Sequence, residues 1–206
     1  MKQSTLNKVE MAIEAVKNGE MVIIQDDQSR ENEGDLVFAA EFVTPEHVNF
    51  MAMYGRGLIC VPMLAEQLQV LNLPQMVEQN EEAMRTAFTV SVDAIEGVHT
   101  GISAHERSLT IQALANPTAK ATDFVRPGHI FPLCARPNGV FERRGQTEAS
   151  IDLMRLAQLN PVAVICEIMN DDGTMARRSD LELFSNRYQM PLLTIEEICV
   201  YRQMHN

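Results

Sequence analysis

The chain has 206 residues, 46% of them apolar and 22% charged, which suits one soluble globular domain over residues 1–206 with a sizeable buried core. A formal net charge of −11, with no block of Lys and Arg to reverse it locally, argues against a nucleic-acid partner. No apolar run approaches membrane-spanning length, no basic-then-apolar leader opens the chain, and the four cysteines form no Cys-x-x-Cys pair; the expectation is a cytoplasmic protein with no membrane partner, disulfide framework or zinc site.

Leu6, Val9, Ile13 and Val16 mark the inner face of a first helix that ends near Asn18-Gly19. Residues 21–25 read as a strand, and residues 36–40 as a second. Between them lies Asp26-Asp27-Gln28-Ser29-Arg30-Glu31-Asn32-Glu33-Gly34-Asp35. Carboxylates crowded around one guanidinium repel, and a bound cation is one way to relieve the repulsion. In an extended segment Glu31, Glu33 and Asp35 share one face, and such hard oxygen ligands suit Mg²⁺ or Mn²⁺ better than zinc. A solvated acidic loop is the bland alternative. Thr44-Pro45-Glu46 opens a helix reaching Tyr54-Gly55, with Pro at its first position. Residues 58–61 then form a buried strand, residues 65–71 a short helix, and residues 72–85 an irregular polar stretch.

Phe88, Val90 and Val92 alternate with Thr89, Ser91 and Asp93, a strand with one wet face. Residues 103–106 match a capping box, opening a helix that ends near Asn116-Pro117. Residues 129–134 and 140–142 are strand candidates. Thr147 caps a helix with Ile151, Met154, Leu156 and Leu159 inward. The apolar run 161–169 reads as a central strand, and Asp172-Gly173 as a turn. Residues 179–182 and 194–197 open two capped helices around a Leu192-Leu193 strand. No strand leads into Gly-x-Gly-x-x-Gly, so a dinucleotide fold is disfavoured. The expected class is α+β, a mixed sheet layered between helices.

The run from Asp26 to Leu36 resembles the signature of the 3,4-dihydroxy-2-butanone-4-phosphate synthase family of riboflavin biosynthesis. Three later stretches fit the same family in its order: Gly101-Ile102-Ser103-Ala104, Arg126-Pro127-Gly128-His129-Ile130-Phe131-Pro132-Leu133, and Asn170-Asp171-Asp172-Gly173-Thr174-Met175-Ala176. The resemblance implies that family's fold and a homodimer with active sites near the subunit interface. It also implies Mg²⁺ or Mn²⁺ as cofactor and ribulose 5-phosphate as substrate, converted to 3,4-dihydroxy-2-butanone 4-phosphate and formate. No cyclohydrolase-like domain follows, giving the expectation of a free-standing chain.

By the same resemblance Glu31 is a metal ligand, with Glu33 near enough to contribute through water. Arg30 and Asp35 contact substrate, and Asp35 binds sugar hydroxyls or moves protons. His129 and Glu167 are catalytic, and Glu167 also touches substrate. Arg143, Arg144, Gly145, Gln146 and Thr147 hold the phosphate at a helix start, and Arg126 and Arg136 are further cationic candidates. His99 and His105 flank another wall of the site, His47 lies on a helix surface, and His205 belongs to a frayed tail. Gln146 stands where the family pattern has a metal-binding histidine. Its carbonyl oxygen is a hard neutral ligand that can reach a similar point. Three readings follow: an active synthase with a modified site, an impaired one, or a non-catalytic paralogue that binds a sugar phosphate or a protein partner. A calcium-binding structural module fits poorly, because the acidic loop lacks EF-hand spacing and its central glycine.

Overall fold

The computed structural model describes residues 2–205. Helix α1 (Lys2–Lys17) leads to β1 (Val22–Gln25) and β2 (Gly34–Ala39); then come α2 (Pro45–Phe50), β3 (Cys60–Met63), α3 (Ala65–Val70) and β4 (Val92–Ala94). The second half runs α4 (Ala104–Ala115), β5 (Phe124–Cys134), α5 (Gln146–Leu156), β6 (Ala163–Glu167), α6 (Arg178–Tyr188), β7 (Leu192–Thr194) and α7 (Ile195–His205). The strands form one seven-stranded sheet in the order β4-β5-β3-β6-β2-β1-β7. Pairs β3/β5 and β1/β7 are parallel and the others antiparallel, so the sheet is mixed as expected. The apolar run at 161–169 supplies its middle strand.

Side-chain alternation splits the core into two layers. Ile23, Leu36, Phe38, Val61 and Val164 face one side, where Val48 of α2, Ile111 of α4 and Leu181 of α6 cover them. Val22, Ile24, Val37, Ala39 and Ile165 face the other, under Val9 and Ile13 of α1, Leu153 of α5 and Ile198 of α7. Helices therefore cover both faces of the sheet. No described helix is long and apolar enough to cross a membrane.

Local signals set several boundaries. Thr44 accepts the His47 N–H, and His47 Nδ1 in turn receives the Thr44 N–H, so α2 starts where the Thr-Pro pair indicated. His47 is therefore not a bare surface residue. It is half-buried, caps its helix, and packs against Phe38 with ring centroids 4.8 Å apart. Thr194 and Glu197 exchange the reciprocal bonds of a capping box at α7. His205 is not frayed: its ring stacks on Tyr201 at 4.1 Å and contacts the Tyr201 carbonyl oxygen.

Four expectations need correction. Residues 140–142 lie around a 3₁₀ turn (Gly139–Phe141), because buried Asp152 accepts the Val140 N–H at 2.8 Å and Gly139 takes φ +60°. Helix α5 is capped by Gly145, so Thr147 lies inside its first turn. Helix α6 starts two residues early, because Asp180 accepts the Arg177 N–H at 2.9 Å and makes Arg177 the cap. The strand at 88–93 has no wet polar face either. Thr89, Ser91 and Asp93 are buried, each with hydrogen bonds to the edge of β5. Only residues 92–94 pair as a regular strand, with a register shift between Val92 and Asp93.

Candidate active site

The acidic segment is a tight loop between β1 and β2, organised by Asp26. One Asp26 oxygen accepts the Glu31 N–H at 3.0 Å and the other the Glu33 N–H at 2.8 Å. Asn32 adopts φ +55°, so residues 31–33 are not extended and the single-face arrangement of Glu31, Glu33 and Asp35 does not form. The carboxylates converge nonetheless. Arg30 Nη1 donates to Asp26 Oδ2 and Glu31 Oε2, both at 2.8 Å, and to Gln146 Oε1 at 2.9 Å. Burial opposes charge on Arg30, but Asp26 and Glu31 outweigh it and hold the guanidinium above its ordinary pKa. Arg177 pins the loop from outside through the carbonyls of Glu31 and Asn32.

The floor of this site is the central pair of strands. Asp35 on β2 stands opposite Glu167 at the end of β6. Helix α2 runs into a π-type turn (Met51–Gly55), after which the chain passes close enough for the Leu58 N–H to donate to Glu167 Oε2 at 2.8 Å. Gly57 permits that approach; a Cβ there would overlap Glu167 Oε2. Burial raises the pKa of Glu167. Burial, with the Glu167, Glu31, Glu33 and Asp26 charges adding to it, raises Asp35 well above its ordinary range. Glu33 is raised in the same way, by burial first and then by Glu31. Asp35 is 3% exposed, and its Oδ1 is buried without a hydrogen-bond partner.

These shifts make a stability prediction with a definite sign. Below about pH 4 Asp35 is protonated in both the folded and unfolded chain. As pH rises the unfolded chain releases that proton first, so this group costs metal-free stability until the folded carboxyl also ionises. Asp35→Asn is expected to raise stability in chelator at pH 7 by on the order of 1–2 kcal/mol. That is about 2–4 °C in Tm per kcal/mol for a chain of this size. The gain should shrink on acidification towards pH 4. Thermal melts at several pH values decide it, and a variant less stable at pH 7 would make the carboxylate structural.

A divalent cation fits the donors present. Glu31 Oε2 and Gln146 Oε1 already converge on one cationic nitrogen, and Asp35 Oδ1 is an orphaned hard acceptor at the floor. Among the described residues no three His, Cys, Asp or Glu side chains form a closed cage. An open site of one carboxylate and one amide oxygen suits Mg²⁺ or Mn²⁺, which keep places for water and substrate oxygens.

The arginines assigned to phosphate are engaged elsewhere. Arg143 binds Glu148 at 2.7 Å, Thr86 and the Met84 carbonyl. Arg144 binds both oxygens of Asp27 and reaches Glu196; its hydrogen bonds hold Asp27 below the usual carboxylate range. Arg126 ties off the carbonyls of Leu71, Ala121 and Phe124, and Arg136 is exposed. Gly145, Gln146 and Thr147 do form the start of an eleven-residue helix, whose first amides offer an anion site beside Arg30.

His129 lies away from the acidic loop and contacts Asp93, a residue that sequence reasoning placed in water. The signal was present as a lone carboxylate in an apolar strand, but alternation alone cannot show what covers each face. His99 and His105 are exposed, and it is the backbone of the intervening loop that is held. Glu106 accepts the N–H groups of His99, Thr100 and Gly101; the His99 amide, then the Thr100 amide and the Thr100 and Ser103 hydroxyls, hold its pKa down to about 2 against the effect of burial. Gly57 and the Leu58 amide were also missed, because backbone donors leave no side-chain pattern.

Known proteins give this geometry a relationship. A family model described as 3,4-dihydroxy-2-butanone 4-phosphate synthase matches residues 10–201. The riboflavin biosynthesis protein RibBA of Aquifex aeolicus is 56% identical over 198 residues, covering 95% of this chain but only 49% of that protein. The 3,4-dihydroxy-2-butanone 4-phosphate synthase of Agrobacterium fabrum is 51% identical, covering 96% of this chain and 92% of the relative. A solved structure of such a synthase in complex with two magnesium ions superposes with a TM-score of 0.88 at 46% identity, covering 92% of this chain and 94% of that one. With a family model matching residues 10–201 and relatives at 51–56% identity over nearly all of its length, the chain belongs to the 3,4-dihydroxy-2-butanone 4-phosphate synthase family.

Proposed function

We propose that this chain converts D-ribulose 5-phosphate to 3,4-dihydroxy-2-butanone 4-phosphate and formate, as a lyase of riboflavin biosynthesis using Mg²⁺ or Mn²⁺. The observation that carries the reading is the convergence of Glu31 and Gln146 on Arg30, above the facing carboxyls of Asp35 and Glu167. The magnesium complex of a relative supports the choice of ion.

The reaction needs enolisation beside a ketone, loss of a hydroxyl, carbon migration and hydrolytic loss of one carbon. Glu31 and Gln146 would hold a divalent ion, which would supply electrostatic stabilisation of negative charge developing on the substrate. The protein supplies proton transfer and orientation. Glu167, with its pKa raised by burial and its Oε2 held by the Leu58 amide, accepts and returns a proton next to the carbonyl. Asp35 is biased towards its neutral form, so it can donate a hydrogen bond or proton to a departing hydroxyl. The first amides of α5 and the Arg30 guanidinium hold the phosphate, and Glu33 lies near enough to act through water. Arg143 keeps the α5 entry in place through Glu148, and Arg144 does so through Asp27. His129 presents an imidazole at the same open end of the sheet.

The same reading carries a homodimer in a reducing cytoplasm. Exposed apolar side chains at Leu58, Ile102 and Val125 flank the site residues and suit a subunit interface. Formate release from ribulose 5-phosphate, measured with Mg²⁺, Mn²⁺ or chelator, tests the activity; none with either ion sinks it. Sedimentation at micromolar concentration tests the dimer, and a purely monomeric chain argues against it.

A further inference from the structure

The pair His129–Asp93 is held by more of the structure than a surface ion pair needs. Asp93 Oδ1 accepts the His129 backbone N–H at 2.8 Å, and Oδ2 lies 2.7 Å from the ring Nδ1. The Asp93 side chain is 9% exposed and that of His129 44%, so the acid is sealed behind an imidazole that opens outward. One carboxylate thus fixes both the backbone and the ring of the same residue.

Three features converge on this pair. Between Val92 and Asp93 the pairing jumps from Ile130 to Val125, which leaves residues 126–129 of β5, His129 among them, bulged beside Asp93. Gly128 lies so close to the backbone of Val92 and Asp93 that a Cβ there would overlap both. Gly101, at φ +82°, covers the pair from above; its Cβ would overlap Asp93 Oδ2 and His129 Nδ1. The loop carrying Gly101 is clamped in turn by Glu106, whose carboxylate takes the amides of residues 99–101 and the Thr100 and Ser103 hydroxyls.

We propose that Asp93 is the positioning residue for His129, fixing its ring orientation and its tautomer. A carboxylate can only accept, so the neutral ring carries its proton on Nδ1 and presents Nε2 as the free nitrogen. Asp93 reaches the chemistry only through the ring. The proposal deepens the synthase reading and rests on it for the proton that Nε2 handles.

The test is Asp93→Asn, which keeps the shape but sets an amide N–H₂ against Nδ1 and drives the proton to Nε2. Nitrogen NMR of His129 in alkaline buffer, where imidazoles are neutral, is expected to show the Nδ1–H form in the wild type and the Nε2–H form in the variant. The variant's kcat for formate release is expected to fall by about 10²–10⁴-fold, the range for losing one proton-transfer group. KM and Mn²⁺ affinity should move less than threefold. A wild-type ring protonated on Nε2 overturns the proposal, and that measurement needs no variant to fold. So does a variant with the altered tautomer and an unchanged kcat. Should the wild type release no formate, the synthase reading falls, while the NMR comparison still decides what Asp93 does to the ring.

Discussion

Glu167→Gln is expected to lower formate release from ribulose 5-phosphate by about 10²–10⁴-fold while leaving the fold intact, the usual range for removing a general acid–base group. Glutamine keeps the length of the side chain and an oxygen for the Leu58 amide, so the bond at 2.8 Å can persist. What it removes is the ability to take a proton. It also removes a charge that raises Asp35, so Asp35 should ionise at lower pH in the variant. Circular dichroism and Tm check the fold, and single-turnover assays check the chemistry. A variant that retains more than about a tenth of wild-type kcat would relieve Glu167 of its proposed role.

Gln146→His is expected to work in the opposite direction, by tightening Mn²⁺ and accelerating formate release. Gln146 Oε1 shares Arg30 Nη1 with Glu31, so a ligand there lies beside the first carboxylate. A neutral imidazole is usually the better ligand for a divalent ion than an amide oxygen. Changes one shell further out already shift affinity or activity by about 10–100-fold, so a ligand replacement should do at least that. Phosphate capture should change less, because the α5 amides stay in place. Titration with Mn²⁺ and assays at saturating Mg²⁺ separate the two effects. A rate unchanged or lowered at saturating metal would mean that glutamine is adapted to this site.

Much of this arrangement was readable before the fold was known. Capping residues announced α2 and α7, and the apolar run at 161–169 announced the middle strand, because both depend on neighbours in sequence. The fate of the arginines was not readable. Arg144 pairs with Asp27 across 117 positions and Arg30 meets Gln146 across 116, so their partners depend on the finished sheet. Asp93 was misplaced for a related reason. A period of two shows that Ser91 and Asp93 share a face, but not that Gly128 and Gly101 lie close over it. The strand expected at residues 129–134 likewise began too late: β5 starts at Phe124 and carries residues 126–129 as a bulge between its pairings with Asp93 and Val92.

Asp35 and Glu167 stand on paired strands inside the sheet, whereas Arg30 and Glu31 stand on a loop tied down by Asp26 and Arg177. The two halves of the site therefore belong to different cooperative units. Exposing the floor to solvent means separating β2 from β6, an event as costly as unfolding the whole chain. The rim can open by releasing a few hydrogen bonds, without disturbing a single strand. Amide exchange at residues 35–38 should follow global stability, while exchange at residues 28–32 should run ahead of it. A substitution in the distant core that weakens the protein would then shorten the lifetime of the floor and leave the traffic across the rim at its original pace.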